Sequence, residues 1–135
     1  MEKYFSPSQA TSSLVLVSPI VGDIFIKIKK ASAINNEVKL AKDSLTMPEK
    51  QMLERLKEAE NLLKQVDYHI KELESIGVIL RDFKEGIVDF PCIANSLIVH
   101  LCWVYGEKEV AYWHHPNEQF AQRRSVDCLL NQAVA

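Results

Sequence analysis

Seven apolar residues in the stretch from Met47 to Ile76 recur in strict 4-3-4-3-4-3 alternation: Met52, Leu56, Ala59, Leu63, Val66, Ile70 and Leu73. This spacing lines them along one seam of an α-helix, the pattern of a helix that packs on another helix. The ends agree. Thr46 suits the N-cap, Pro48 the first turn, and Glu49 the positive end of the dipole. Gly77 stands where a left-handed residue closes a helix. A chain with a seam this long must find a second apolar helical face.

The residues upstream supply one. Residues 14–30, LVLVSPIVGDIFIKIKK, admit two readings. Their β-branched content suits two strands turning through Ser18–Asp23. They also fit one heptad register running through Ala10, Leu14, Val17, Val21, Ile24, Ile28, Ala31, Val38 and Leu45, with Asn35 and Lys42 at two a-type positions. Ser6-Pro7-Ser8-Gln9 supplies a cap, and Pro19 would bend a helix rather than end it. Because the register persists beyond the ambiguous stretch, the helix is favoured. A turn at Lys42–Thr46 then gives an antiparallel hairpin of rods about 45–50 Å long. The first helix is apolar beyond its seam, at Val15, Leu16, Ile20, Phe25, Ile26 and Ile34. Two helices cannot bury both surfaces alone; the C-terminal module could cover part of one, and a second copy is the expected cover for the rest, which makes a homodimer the expected state. Asn35 either sets the register of that pairing or faces solvent near the turn.

After Gly77 the period changes to two. Val78–Leu80 and Gly86–Phe90 read as short strands, with Pro91 at a strand end or edge. Ser96–Tyr105 and Lys108–His114 alternate across a turn at Gly106-Glu107. The fold class is α+β: a long antiparallel α-helical hairpin followed by a small antiparallel β-sheet of three or four strands. Residues 1–77 form the hairpin, 78–124 the sheet module and 125–135 a weakly structured tail, in one folding unit.

Composition narrows the function. At 135 residues with 47% hydrophobic and 25% charged side chains, the chain is too apolar for disorder. The net charge of −2 leaves no electrostatic footprint for nucleic acid or anionic lipid, and neither half hides one. Residues 1–77 carry 11 basic and 11 acidic side chains; residues 78–135 carry 5 and 7. Cys92, Cys102 and Cys128 are odd in number and make no C-x-x-C pair, which points to a reducing compartment. Leu14–Ile28 is interrupted by Ser18, Pro19, Gly22, Asp23 and Lys27, so neither a membrane helix nor a signal peptide is expected. The expected location is cytoplasmic.

Chemistry concentrates between Gly86 and Arg124, where both tryptophans and three of the four histidines fall. With a two- or four-residue loop at Gly106-Glu107, alternation would put His100, Cys102 and His115 on one surface, a set that zinc accepts; a three-residue loop would split it. A mixed sheet surface with one buried thiol is the commoner outcome. Covalent catalysis has little support. Cys102 and His100 lie on one strand about 6.5–7 Å apart, and no glycine-rich elbow surrounds any Ser or Cys. Asp89, His114, Arg123 and Arg124 form the most suggestive group, because arginines beside an Asp and a His can grip a carboxylate or phosphate. The plainer reading has Asp89 capping a turn or pairing with Arg123. Trp103, Trp113, Tyr112 and Phe120 are expected in the core more often than against a ligand. No motif implies a cofactor.

The ordered series Val88-Asp89-Phe90-Pro91, Leu101-Cys102-Trp103, Gly106-Glu107, Tyr112-Trp113-His114 and Phe120…Arg123, with Tyr4-Phe5-Ser6 and the Leu14–Pro19 run upstream, resembles an uncharacterised prokaryotic family. That family is domain of unknown function 2203, some members of which are labelled "division initiation protein". The resemblance spans nearly the whole chain and implies a helical hairpin followed by a small sheet, with no established activity. Members often have an acid after the Trp-His pair and a Gly before the Phe, where this chain has His115 and Gln119. The expected function is a self-associating interaction or scaffolding protein with a recognition surface on the C-terminal sheet and a possible protein partner. The alternative is anion binding or a metal-dependent enzyme using Asp89, His114 and Arg123, with Trp103, Trp113 and Arg124 beside them.

Overall fold

The computed structural model describes residues 3–130. Two long helices come first, α1 (Pro7–Ser44) and α2 (Glu49–Ile76), packed antiparallel as a hairpin. A five-stranded antiparallel sheet follows in simple sequence order: β1 (Ile79–Asp82), β2 (Ile87–Ala94), β3 (Leu97–Val104), β4 (Tyr112–His114) and β5 (Arg124–Ser125). A 3₁₀ turn at Phe120–Gln122 and a short helix, α3 (Asp127–Leu130), complete the described chain.

Residues 14–30 are helical throughout, and α1 runs through Pro19 without a break. Its start is a capping box. Ser6 Oγ accepts from the Gln9 amide (3.1 Å), and Gln9 Oε1 accepts from the Ser6 amide (3.0 Å). Its end differs from the expected turn by two residues. Leu45 adopts φ 56°, a left-handed conformation, and the Thr46 amide reaches back to the Ala41 carbonyl (3.0 Å). Thr46 does not cap α2. Its hydroxyl bonds Ser44 Oγ at 2.9 Å, and Pro48 occupies the N-cap without a side-chain hydrogen bond. Gly77 closes α2 at φ 97° as the spacing predicts.

The α1 seam buries Ala10, Leu14, Val17, Val21, Ile24 and Ala31, then shifts by one residue. Ile34 and Ala41 are buried where the heptad register predicts Asn35 and Lys42, both of which are exposed. Burying Ile34 leaves Asn35 in water at no desolvation cost. Salt bridges and hydrogen bonds pin the helices on either side: Arg55 bridges Glu37 at 2.6 Å, and Lys27 donates to His69 Nε2 at 2.8 Å. One window of α1 has a mean hydropathy of 1.6, so by length and composition alone this helix could cross a membrane.

The main core joins α1 and α2 to one face of the sheet. Val88, Phe90, Cys92, Val99, Leu101, Trp103 and Trp113 pack against Leu14, Val17, Val21, Val66 and Leu73. Tyr105 lies over Gly22, whose missing side chain admits the ring: a Cβ there would sit 2.8 Å from the Tyr105 hydroxyl. Farther out, the hairpin closes on a small second cluster of Ala31, Ile34, Val38 and Ala59, with Met52 and Leu62 against them.

Two sheet details depart from expectation. β2 and β3 are joined by a two-residue turn at Asn95-Ser96, with φ of 50° and 63°. Pro91 lies inside β2 rather than at its end. β1 reaches only as far as Asp89, so beyond it β2 is a local edge on that side; there the Pro91 carbonyl accepts from the Phe5 amide at 2.7 Å. Within the expected tail, Leu129 is buried and Val126 packs against the core. Residues 131–135 lie outside the described chain.

Candidate functional site

Register decides which side chains meet. β3 and β4 pair His100 with His114, Leu101 with Trp113, and Cys102 with Tyr112. The connection between them, residues 105–111, is odd in length, so even-numbered residues face even-numbered ones across the pair. His115 therefore does not join His100 and Cys102. It lies beside the Trp113 ring (5.1 Å between centroids), and His114 takes its place on the other face. β2 adds Asp89, directly opposite Cys102.

On the face turned away from the helices, these pairings gather Asp89, His100, Cys102 and His114. Asp89, Cys102 and His114 are fully or almost fully buried. His114 Nε2 sits astride the Asp89 carboxylate, 3.1 Å from each oxygen. Its Nδ1 donates to the His115 carbonyl at 2.7 Å, since a carbonyl can only accept. His100 Nδ1 lies 3.2 Å from Asp89 Oδ2, and Arg81 Nε lies 3.4 Å from the same oxygen. Arg81 is the extra residue of a β-bulge between Leu80 and Asp82, which turns its side chain to the carboxylate. A cleft of about 180 Å³, lined by Arg81, Asp82, Ile87, Gln119 and Phe120, opens onto Asp89 and His114.

Burial holds the Cys102 thiol up at about 12, reinforced by the negative charge of Asp89; Arg123 pulls the other way through its charge and hydrogen bond. Cys92, on the core face, is raised by burial alone.

Neither arginine of the 123–124 pair reaches Asp89. Arg123 makes a two-pronged bridge to Glu107 (3.1 and 3.2 Å) and stacks on Tyr112 and Phe120, with its guanidinium 4.1 and 4.3 Å from the ring centres. Arg124 bridges Glu118 (2.8 and 2.7 Å) and covers the Trp113 ring. The Arg124 hydrogen bonds, with the His115 amide, hold the Glu118 carboxyl down at about 2. Trp103 is core, its Nε1 donating to the Glu107 carbonyl at 2.9 Å. Trp113 is core as well, and its Nε1 has no partner among the described residues.

Of the sequence candidates, the fold unites Asp89, His114, His100 and Cys102, and sets Arg123, Arg124, Trp103, Trp113 and His115 to other work. Arg81 had no signal in the sequence. A bulge is not visible in an apolar-polar alternation only four residues long.

Residues 3–126 match the family described as uncharacterized conserved protein (DUF2203). The chain belongs to that family. No curated protein and no solved structure matches it. In this DUF2203 protein the titratable side chains Asp89, Cys102 and His114 gather in the buried cluster, and much of the exposed apolar surface lies on the helical faces.

Proposed function

We propose that the chain is a self-associating interaction protein: its helical hairpin pairs with a second copy, and the outer face of its sheet serves as the recognition surface. The observation that supports this reading is a heptad ladder only partly used. On α2, Ala59, Val66 and Leu73 are buried under α1, whereas Leu56 and Leu63 of the same ladder are 41% and 44% exposed. On α1, Pro19, Ile26, Ala33 and Leu40 stand exposed at seven-residue intervals, with Val15 and Leu16 beside them.

An apolar line with heptad spacing fits another helix of like spacing; fully burying an exposed Leu or Ile contributes about 1.5–3 kcal/mol, and roughly half of that for side chains already half buried, such as Leu56 and Leu63. A second copy brings such helices, and the mixed charges along α2 allow ion pairs in either orientation. The engagement of Arg123 by Glu107 counts against an arginine-gripped anion on the sheet.

Sedimentation of the full chain at micromolar concentration tests the reading. A dimer is expected, and Leu56→Glu with Leu63→Glu should give a monomer that keeps its helical and near-ultraviolet circular dichroism. A monomeric wild type overturns it, as does co-flotation with lipid vesicles by the exposed face of α1 in place of self-pairing.

A further inference from the structure

We infer that Asp89, Cys102 and His114 form a binding site for a single zinc-class metal ion, with His100 orienting the carboxylate from behind. The ligating atoms of the three residues lie within 4.8 Å of one another, on neighbouring strands whose pairing fixes them. In a tetrahedral zinc site the donor atoms stand about 3.3–3.6 Å apart, given Zn–S near 2.3 Å and Zn–N or Zn–O near 2.0–2.1 Å. His114 Nε2 and the Asp89 oxygens are already 3.1 Å apart, so small side-chain adjustments complete the geometry.

The independent pointer is the hydrogen bonding of His114. Its Nδ1 proton is committed to the His115 carbonyl, the arrangement that holds a metal-bound imidazole in the Nδ1–H tautomer with Nε2 free to coordinate. In the neutral ring, Nε2 then presents a lone pair to a buried carboxylate, and two acceptors this close require a cation between them. Two species satisfy that: a second ring proton, or a metal ion. Cys102 decides between them, because a thiol adds nothing to a simple Asp-His ion pair but completes a mixed O, N, S set. Such a set favours zinc or cobalt over calcium or magnesium.

The carboxylate has room for both shells. Oδ2 faces His100 and Arg81, while His114 Nε2 is the one polar contact of Oδ1 among the described residues, so Oδ1 is available as a ligand. On binding, the ion displaces the Cys102 thiol proton to solvent. Three protein ligands leave a fourth position for water, and the cleft beside Asp89 and His114 has the volume to admit it.

The test uses the full chain, stripped with a chelator and titrated with Co²⁺, then Zn²⁺. One equivalent of Co²⁺ should produce a near-ultraviolet thiolate-to-cobalt band that Zn²⁺ abolishes, and Zn²⁺ should raise the melting temperature. Cys102→Ser should remove the band, whereas Cys92→Ser, which alters a buried thiol on the opposite face, should keep it. His100→Gln should weaken Zn²⁺ binding about 10–100-fold, the usual effect of disturbing an outer-shell partner, and His114→Gln by more.

A native-melting wild type with no band overturns the proposal, as does a band that survives Cys102→Ser. If the variants do not fold, ¹⁵N spectra of the wild type with excess Zn²⁺ decide it. A His114 ring still protonated at both nitrogens means that a proton, not a metal, joins the pair.

Discussion

The cysteines show how far one residue type can diverge in a small domain. Cys128 is exposed; Cys92 and Cys102 are buried on opposite faces of the same sheet. Because a reagent must reach the sulfur, Cys128 should react promptly with a thiol reagent, and the other two only after denaturant is added. The raised position of Cys102 carries a stability consequence with a definite sign. An unfolded chain deprotonates this thiol near 9.0 while the folded one holds its proton to about 12, so stability is intact below pH 9 and falls as pH rises toward 12. Removing the thiol by Cys102→Ser should flatten that alkaline slope in denaturant titrations. Glu118 has the opposite sign. Its carboxyl, held down at about 2 against an ordinary 4.5, stabilises the fold above that ordinary value and is lost as pH falls toward 2. Since Arg124 lies between Glu118 and the Trp113 ring, tryptophan fluorescence should report an acid transition in that window, absent in Glu118→Gln.

Among the elements, the β2–β3 hairpin has the clearest local flaw. Asn95 and Ser96 both adopt positive φ, and Ser96 at 63° is an unfavoured choice for a backbone that glycine adopts freely. Ser96→Gly relieves about 1–2 kcal/mol of left-handed strain against a cost of about 0.4–1 kcal/mol from glycine's freedom in the unfolded chain, so the midpoint in urea should rise modestly at unchanged slope. An unchanged or lower midpoint would mean that the serine is making up the strain elsewhere. The helices are organised differently. α1 is anchored along its first half by the sheet and along its second half by α2, where the small residues Ala31 and Ala59 let the backbones approach but bury little area. The distal hairpin is thus the part most dependent on what covers it.

For the whole molecule, that dependence makes a measurement possible. If two copies share the hairpin faces, the melting temperature should rise with protein concentration, because association stabilises the folded form by mass action. The Leu56→Glu, Leu63→Glu chain should melt at one temperature whatever its concentration. A concentration-independent melt of the wild type would remove the case for pairing. The buried cluster and the open helical faces lie on different parts of the fold, so the metal and assembly readings stand or fall separately.

The helical hairpin, its glycine C-cap and the α+β order were legible in the residues, because heptad spacing and turn chemistry are local and survive in any environment. Even there a one-residue shift, Ile34 for Asn35, was settled only by helix against helix. The candidate site was legible in its parts and not in its assembly. Asp89, His100, Cys102 and His114 were all visible as residues, yet which of them share a face depended on the parity of the connection at 105–111, and one residue more or less exchanges every side chain between core and surface. Arg81 entered through a bulge, and Arg123 was taken by Glu107. Sequence therefore fixed which chemical groups are present and on what kind of element. Strand pairing, a long-range contact whose register no local pattern encodes, decided which of them touch.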